Sequence, residues 1–255
     1  MEDNTIFNAE AFISSSQKNS IELFEDTASK MKAASEHLVK DFFKFRSSKF
    51  AEELEQTDKS KYVAYNYSFF TNITTALKAE MMDDDIYGKG LCAVASIMSH
   101  FPEYKDVTVP AVAPFIKRAY KKLETTDSKG QEFIAVGIMK LASSIAEAEP
   151  SMTKEALKVF KDPKIIEGLG IDSKPHDKDF SWHFSEACLF LAEMLRKDNS
   201  LLKEIKEVSK PFMVPKEQVS SKSGYEITGF AYLRDKIAEV EKKNAIILSA
   251  NAHKK

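Results

Sequence analysis

Leu91-Cys92-Ala93-Val94-Ala95-Ser96-Ile97-Met98 is a run of apolar and small side chains, and it has two counterparts further on. They are Ile134-Ala135-Val136-Gly137-Ile138-Met139-Lys140-Leu141 and Glu186-Ala187-Cys188-Leu189-Phe190-Leu191-Ala192-Glu193-Met194-Leu195. Small residues let helices approach closely, as a core of stacked helix pairs requires. Each run leads through a short polar break to a second amphipathic helix. The partners begin in turn around Pro110–Arg118, Ser151–Leu157 and Ser200–Ile205.

The Ala93 to Ala135 offset is near the roughly 40–47-residue period of HEAT and armadillo repeats, and the Ala135 to Ala187 offset is longer. Over about residues 86–208 the chain therefore resembles a short HEAT-like α-solenoid. The resemblance is architectural: it implies helix pairs stacked side by side, and no particular activity.

Residues 1–85 read differently. All eight prolines fall at Pro102 or later and the first glycine is Gly88, so this stretch contains no strong helix breaker. Phe24, Ala28, Met31, Ser35, Leu38, Phe42 and Phe45 step alternately by four and three, a heptad seam on one helical face. The seam predicts one long helix from about Asn19 to Glu55. A break at Thr57-Asp58-Lys59-Ser60 leads to a second helix, about Lys61 to Met82. The second helix carries Tyr62, Phe69, Phe70, Ile73, Ala76, Leu77 and Met81, a face wide enough to be covered on more than one side. Two long helices and a short polar loop make a helical hairpin. Residues 209–229 hold Pro211, Pro215, Gly224 and a Ser/Lys cluster and read as a loop. A last helix, about Phe230 to Leu248, precedes a short tail.

Composition agrees with an all-α fold. Only 8 glycines occur, where average usage would give roughly 18, so strand-rich and glycine-loop nucleotide-binding folds are disfavoured. Hydrophobic residues at 43% exclude a disordered chain, and 37 basic against 39 acidic residues exclude a polyelectrolyte. The acidic start Met1-Glu2-Asp3-Asn4 lacks an export signal's basic and apolar regions, and no run of about 18 apolar residues could span a membrane. Cys92 and Cys188 sit in apolar surroundings and read as buried thiols. A cytoplasmic location is expected. The sequons at Asn66 and Asn72 fall within a helical pattern and read as accidental.

Chemistry is sparse. There is no GxxxxGK loop, no GxSxG elbow and no CxxC pair; Gly88-Lys89-Gly90 lacks both the spacing and a preceding strand. His176, Asp179, His183 and Glu186 are residue types that ligate zinc or iron, yet no Glu-x-x-His motif accompanies them. A capped helix start, with Asp177 or Asp179 as N-cap, accounts for that cluster better, so neither a metal nor another cofactor is expected. Glu80, Asp83, Asp84 and Asp85 read as a solvated turn, since EF-hand spacing is missing. Lys117, Arg118, Lys121 and Lys122 share one helical face that could hold an anion or an acidic partner; the slightly acidic chain argues against nucleic acid. Phe43, Lys44, Arg46 and Phe50 mix rings with cations and could meet lipid or a partner. The expectation is a non-enzymatic interaction or scaffold protein binding other proteins, or itself, through helical surfaces. The alternatives are a peripheral membrane-associated protein and, last, a metal-dependent helical enzyme.

Overall fold

The computed structural model describes residues 28–79, 82–126, 128–168, 182–211 and 224–252. Among these residues the fold is all-α, with no strand. The first helices are α1 (Ala28–Arg46), α2 (Lys49–Thr57), α3 (Lys59–Lys78), α4 (Asp84–His100), α5 (Lys105–Thr125) and α6 (Ser128–Ala148). They are followed by α7 (Thr153–Val159), α8 (Pro163–Gly168), α9 (Trp182–Lys197), α10 (Leu202–Val208) and α11 (Gly224–Ala252). One continuous apolar cluster runs through them, from Leu38 on α1 to Val240 on α11.

The expected first long helix is interrupted. Ser47 Oγ donates back to Phe43 O (3.0 Å) and Ser48 Oγ to Phe45 O (2.7 Å), closing the end of α1. Ser48, extended at φ −88° and ψ 145°, then accepts from the Ala51 amide (3.1 Å) and opens α2 as its N-cap. The seam itself is buried as far as side chains are described: Ser35, Leu38, Phe42 and Phe45 all face the core. Phe24 lies outside the described residues. On α3, Tyr62, Phe69, Phe70, Ile73, Ala76 and Leu77 are buried against α1, α2, α4 and α5.

The α1–α3 contact is made by rings. Phe42 meets Phe69 at 5.4 Å between centroids, and Phe45 meets both Phe69 and Tyr65 at 5.5 Å. Phe50, at the start of α2, closes edge-on against Tyr65 at 6.0 Å. Edge-to-face and offset rings at this spacing are favourable beyond the area they bury.

The centre of the molecule is the crossing of α4 and α6, its most extensive helix–helix contact. Gly88 and Gly90 are not a break but lie within the first half of α4. A Cβ on Gly88 would collide with the Phe133 backbone and lie 2.7 Å from the Ile134 nitrogen. One on Gly137 of α6 would lie 2.8 Å from Gly88 O and 2.8 Å from Leu91 Cβ. The two backbones touch because neither glycine carries a side chain. Towards the C-terminal ends, Ser144 Oγ donates to Ala95 O (3.0 Å) and lies 2.8 Å from Ser99 Oγ.

Three links of identical build join α4 to α5, α6 to α7 and α9 to α10. In each, one residue leaves the helical conformation: Phe101 (φ −129°, ψ 63°), Glu149 (−131°, 88°) and Asp198 (−138°, 99°). A three-residue 3-10 turn follows at once: Pro102–Tyr104, Pro150–Met152 or Asn199–Leu201. Proline suits the first turn position because its missing N–H would be unpaired there in any case. In the third link Asp198 accepts the Ser200 amide instead (2.9 Å).

The last helix begins at Gly224 rather than near Phe230, so residues 224–229 belong to α11 and not to the expected loop. Phe230, Leu233 and Val240 are buried, with Ile237 partly so, and α11 packs chiefly on α9. From Glu241 to Ile247 every residue is exposed, including Ile246 and Ile247 at 57% each.

Candidate functional site

Four helices meet at a polar node that was not anticipated as a site. Arg46 Nη1 at the end of α1 donates to Tyr62 Oη of α3 (2.8 Å). His100 Nε2, at the end of α4, lies 2.9 Å from Glu55 Oε1 of α2 and 3.2 Å from Tyr62 Oη. A carboxylate only accepts, so Nε2 carries the proton and donates to Glu55. Burial pushes the Tyr62 phenol above its ordinary value, with Arg46 opposing and Glu55 reinforcing. These contacts tie α1, α2, α3 and α4 together. In the sequence Arg46 stood out within the aromatic–cationic stretch and Tyr62 within an apolar helix face, but spacing joined neither to Glu55 or His100.

The acidic residues at the start of α4 are paired one by one. Lys32 reaches Asp83 (2.6 Å), Lys122 reaches Asp84 (2.7 Å) and Lys89 reaches Asp85 (3.3 Å). Burial would raise the Asp84 carboxyl, but hydrogen bonds from Lys122 and Thr126 hold it below the usual range. Glu80 lies outside the described residues.

Those contacts divide the basic face of α5. Lys122 turns towards Asp84 and over the Tyr87 ring (5.1 Å to its centroid), and Arg118 Nη1 donates to Lys78 O at the end of α3 (3.0 Å). Lys117 and Lys121 are exposed. Two of the four cations thus secure helix packing, and the face presents the other two. Helical spacing identified the face but could not show which neighbours would occupy part of it.

The aromatic–cationic stretch divides too. Phe50 is packed on Phe45 and Tyr65, and Arg46 is bound to Tyr62. Phe43 remains 40% exposed and Lys44 is exposed beside it. Of the metal-type cluster, His176 and Asp179 lie outside the described residues, as do the expected caps Asp177 and Asp179. His183 lies in α9, with its side chain outside what is described, and Glu186 is half-buried there. Among the described residues no group of three or more His, Cys, Asp or Glu side chains could hold a metal ion.

Neither Cys92 nor Cys188 is in a disulfide. Burial pushes the thiol of Cys92 up to about 11 and that of Cys188 up to about 12, so neither is a thiolate at neutral pH. Asn66 is fully buried and its Nδ2 donates to Tyr62 O (2.8 Å), which closes that sequon to glycosylation in the folded chain.

The remaining surface feature follows the three links. Tyr104 and Met152, each third in its 3-10 turn, are both 40% exposed, and Val107 is 52% exposed. Between the second and third links lies a cavity of about 180 Å³, with Glu147, Glu193, Asp198 and Lys197 in its polar wall and Met194 and Leu201 in its apolar wall. Lys197 pairs with Glu147, while Glu193 accepts from Arg196 (2.8 Å) and from Tyr232 Oη (2.9 Å).

Among the described residues no helix is long and apolar enough to cross a membrane. Comparison with protein-family models, with curated proteins and with solved structures finds no match for this chain.

Proposed function

We propose that the protein is a non-enzymatic interaction or scaffold protein that binds other proteins through helical surfaces. The observation that carries this reading is the recurrence of one helix–link–helix unit three times along the core, its link residues Phe101, Glu149 and Asp198 being 48 and 49 residues apart. Repeated units of this kind, stacked side by side, present an extended edge on which partners dock.

The unit also supports the finer architecture, a HEAT-like stack behind an N-terminal helical hairpin. In the register of the links, Gly90, Ile138 and Ala187 are equivalent, as are Leu91, Met139 and Cys188, and Ile97, Ile145 and Met194; all nine are buried. For the hairpin, Phe42 meets Phe69 while Phe45, further along α1, reaches back to Tyr65 and Tyr62 on α3, as in an antiparallel pair. Self-association then falls to the exposed sides of these helices, because the described part of the seam, Ser35, Leu38, Phe42 and Phe45, is covered within the chain. Two thiols outside any disulfide suit a cytoplasmic protein.

Cross-linking mass spectrometry in native cells, on the full chain, tests the reading. The expected result is a recurrent partner cross-linked through lysines beside the links, such as Lys105 and Lys154. Exclusively intramolecular cross-links would sink it.

A second reading, peripheral membrane attachment, is favoured by the exposed Phe43 with Lys44 beside it. Liposome flotation decides: anionic vesicles should carry the protein and should lose it on Phe43→Glu. No flotation of the parent chain removes this reading.

A further inference from the structure

The three links lie side by side on one edge of the core. Lys105 after the first pairs with Glu149 of the second (3.4 Å), and Lys197 before the third pairs with Glu147 before the second. Equivalent positions along this edge differ in exposure. The third turn residue is the exposed Tyr104, then the exposed Met152, and then Leu201, which is buried. Where Leu201 turns inward, the surface carries the cavity of about 180 Å³.

The lining has two parts. Ala146, Pro150, Met194 and Leu201 supply apolar wall, whereas Glu147, Glu193 and Asp198 supply carboxylates against the single cation Lys197 among the described residues that line it. Glu193 has both oxygens engaged, by Tyr232 and Arg196. Glu147 Oε1 accepts from Lys197, and Asp198 Oδ1 accepts from the Ser200 amide. A carboxylate offers about four acceptor directions, so Glu147 and Asp198 retain capacity for another donor. Glu103 and Asp106, both exposed beside the first link, extend the negative charge along the edge.

An apolar wall topped by carboxylates matches one kind of side chain, an aliphatic stem ending in a cation. We propose that this edge docks a segment of a partner protein bearing a Lys or Arg flanked by apolar residues. The stem lies in the cavity, the cationic head meets Glu147 and Asp198, and the apolar neighbours rest on Met152 and Tyr104. This rests on the interaction-protein reading and names the partner's chemistry.

The test measures binding of the full chain, by fluorescence polarisation, to two pools of short labelled peptides. One pool combines Lys and Arg with Leu and Phe; the other replaces every cation with Glu. The basic pool should bind at least about tenfold more tightly, and added salt should weaken it. The double variant Glu147→Gln/Asp198→Asn should cut that affinity by about tenfold, and Met152→Ser by about threefold. Asn at 198 still caps the turn, and a thermal melt of each variant confirms folding. Equal binding of the two pools, no binding of either, or a folded double variant that binds like the parent overturns the proposal. So does cadaverine alone competing as well as the peptides, since that marks a small-amine site. If cross-linking finds a partner that attaches away from the links, this site fails and the interaction reading stands; if no partner cross-links anywhere, both fail.

Discussion

Where α4 crosses α6, the closest approach is made by glycines; where α1 meets α3, it is made by phenyl and phenol rings. At the first crossing a Cβ on Gly88 would collide with the Phe133 backbone. At the second, Phe45 has the rings of Phe50, Tyr62, Tyr65 and Phe69 around it, all within 6.5 Å between centroids. The two contacts respond to change in different ways. Rings can shift and repack around a smaller neighbour, so a ring contact degrades by degrees. A backbone in contact with another backbone has no flexible end to move, so the glycine crossing admits no addition. The rigid crossing lies at the centre of the link-bearing half, and the adaptable one holds the N-terminal helices against it.

The largest effect expected is from Phe45→Ala, which empties a fully buried ring site and should cost about 3–5 kcal/mol in chemical denaturation. Phe45→Leu should cost clearly less, since the surrounding rings can close in. Gly88→Ala comes next, at about 3 kcal/mol for a single methyl group, because the helices must separate to admit it. A Gly88→Ala chain that melts with the parent would break the contrast.

Smaller effects probe the polar ties. Tyr62→Phe removes the acceptor of Arg46 and should cost about 1 kcal/mol. Asp84→Asn should cost about 1 kcal/mol at neutral pH, since water screens this part-exposed pair with Lys122. The folded Asp84 carboxyl titrates below its ordinary value, so its contribution is present above a pH of about 4 and is lost as pH falls further. Melts of parent and variant should therefore converge in acid. A gap that widens there would mean that Asp84 is destabilising in the fold. Least of all, Ile246→Lys/Ile247→Lys should change stability by under about 0.5 kcal/mol, both side chains being largely in water.

Much of this was legible from residue spacing. The all-helical class follows from scarce glycine and 3.6-residue periodicity, and Ser35, Leu38, Phe42 and Phe45 face the core as their heptad steps require. The break at Ser47-Ser48 was not legible. Serine returns a hydrogen bond to a preceding carbonyl inside a helix as readily as at its end, and position 51 is Ala where a capping box would place Glu or Gln. Of the candidate residues, Lys117 and Lys121 were found where spacing put them, on an exposed face. Arg118 and Lys122 share that face in sequence but are drawn to Lys78 and Asp84, residues 40 and 38 positions away.

The sequence by itself therefore determined the helical class, the burial of Ser35, Leu38, Phe42 and Phe45 and the three runs of small residues, because each is a matter of near-neighbour spacing along one helix. Only the tertiary structure decided that Gly88 and Gly137 meet, that Tyr62 and His100 share a node with Arg46 and Glu55, and that Glu147 and Asp198 line one cavity. Those are contacts between helices. They depend on where helices cross and on which neighbour reaches a side chain first, and neither is written in the periodicity of any single helix.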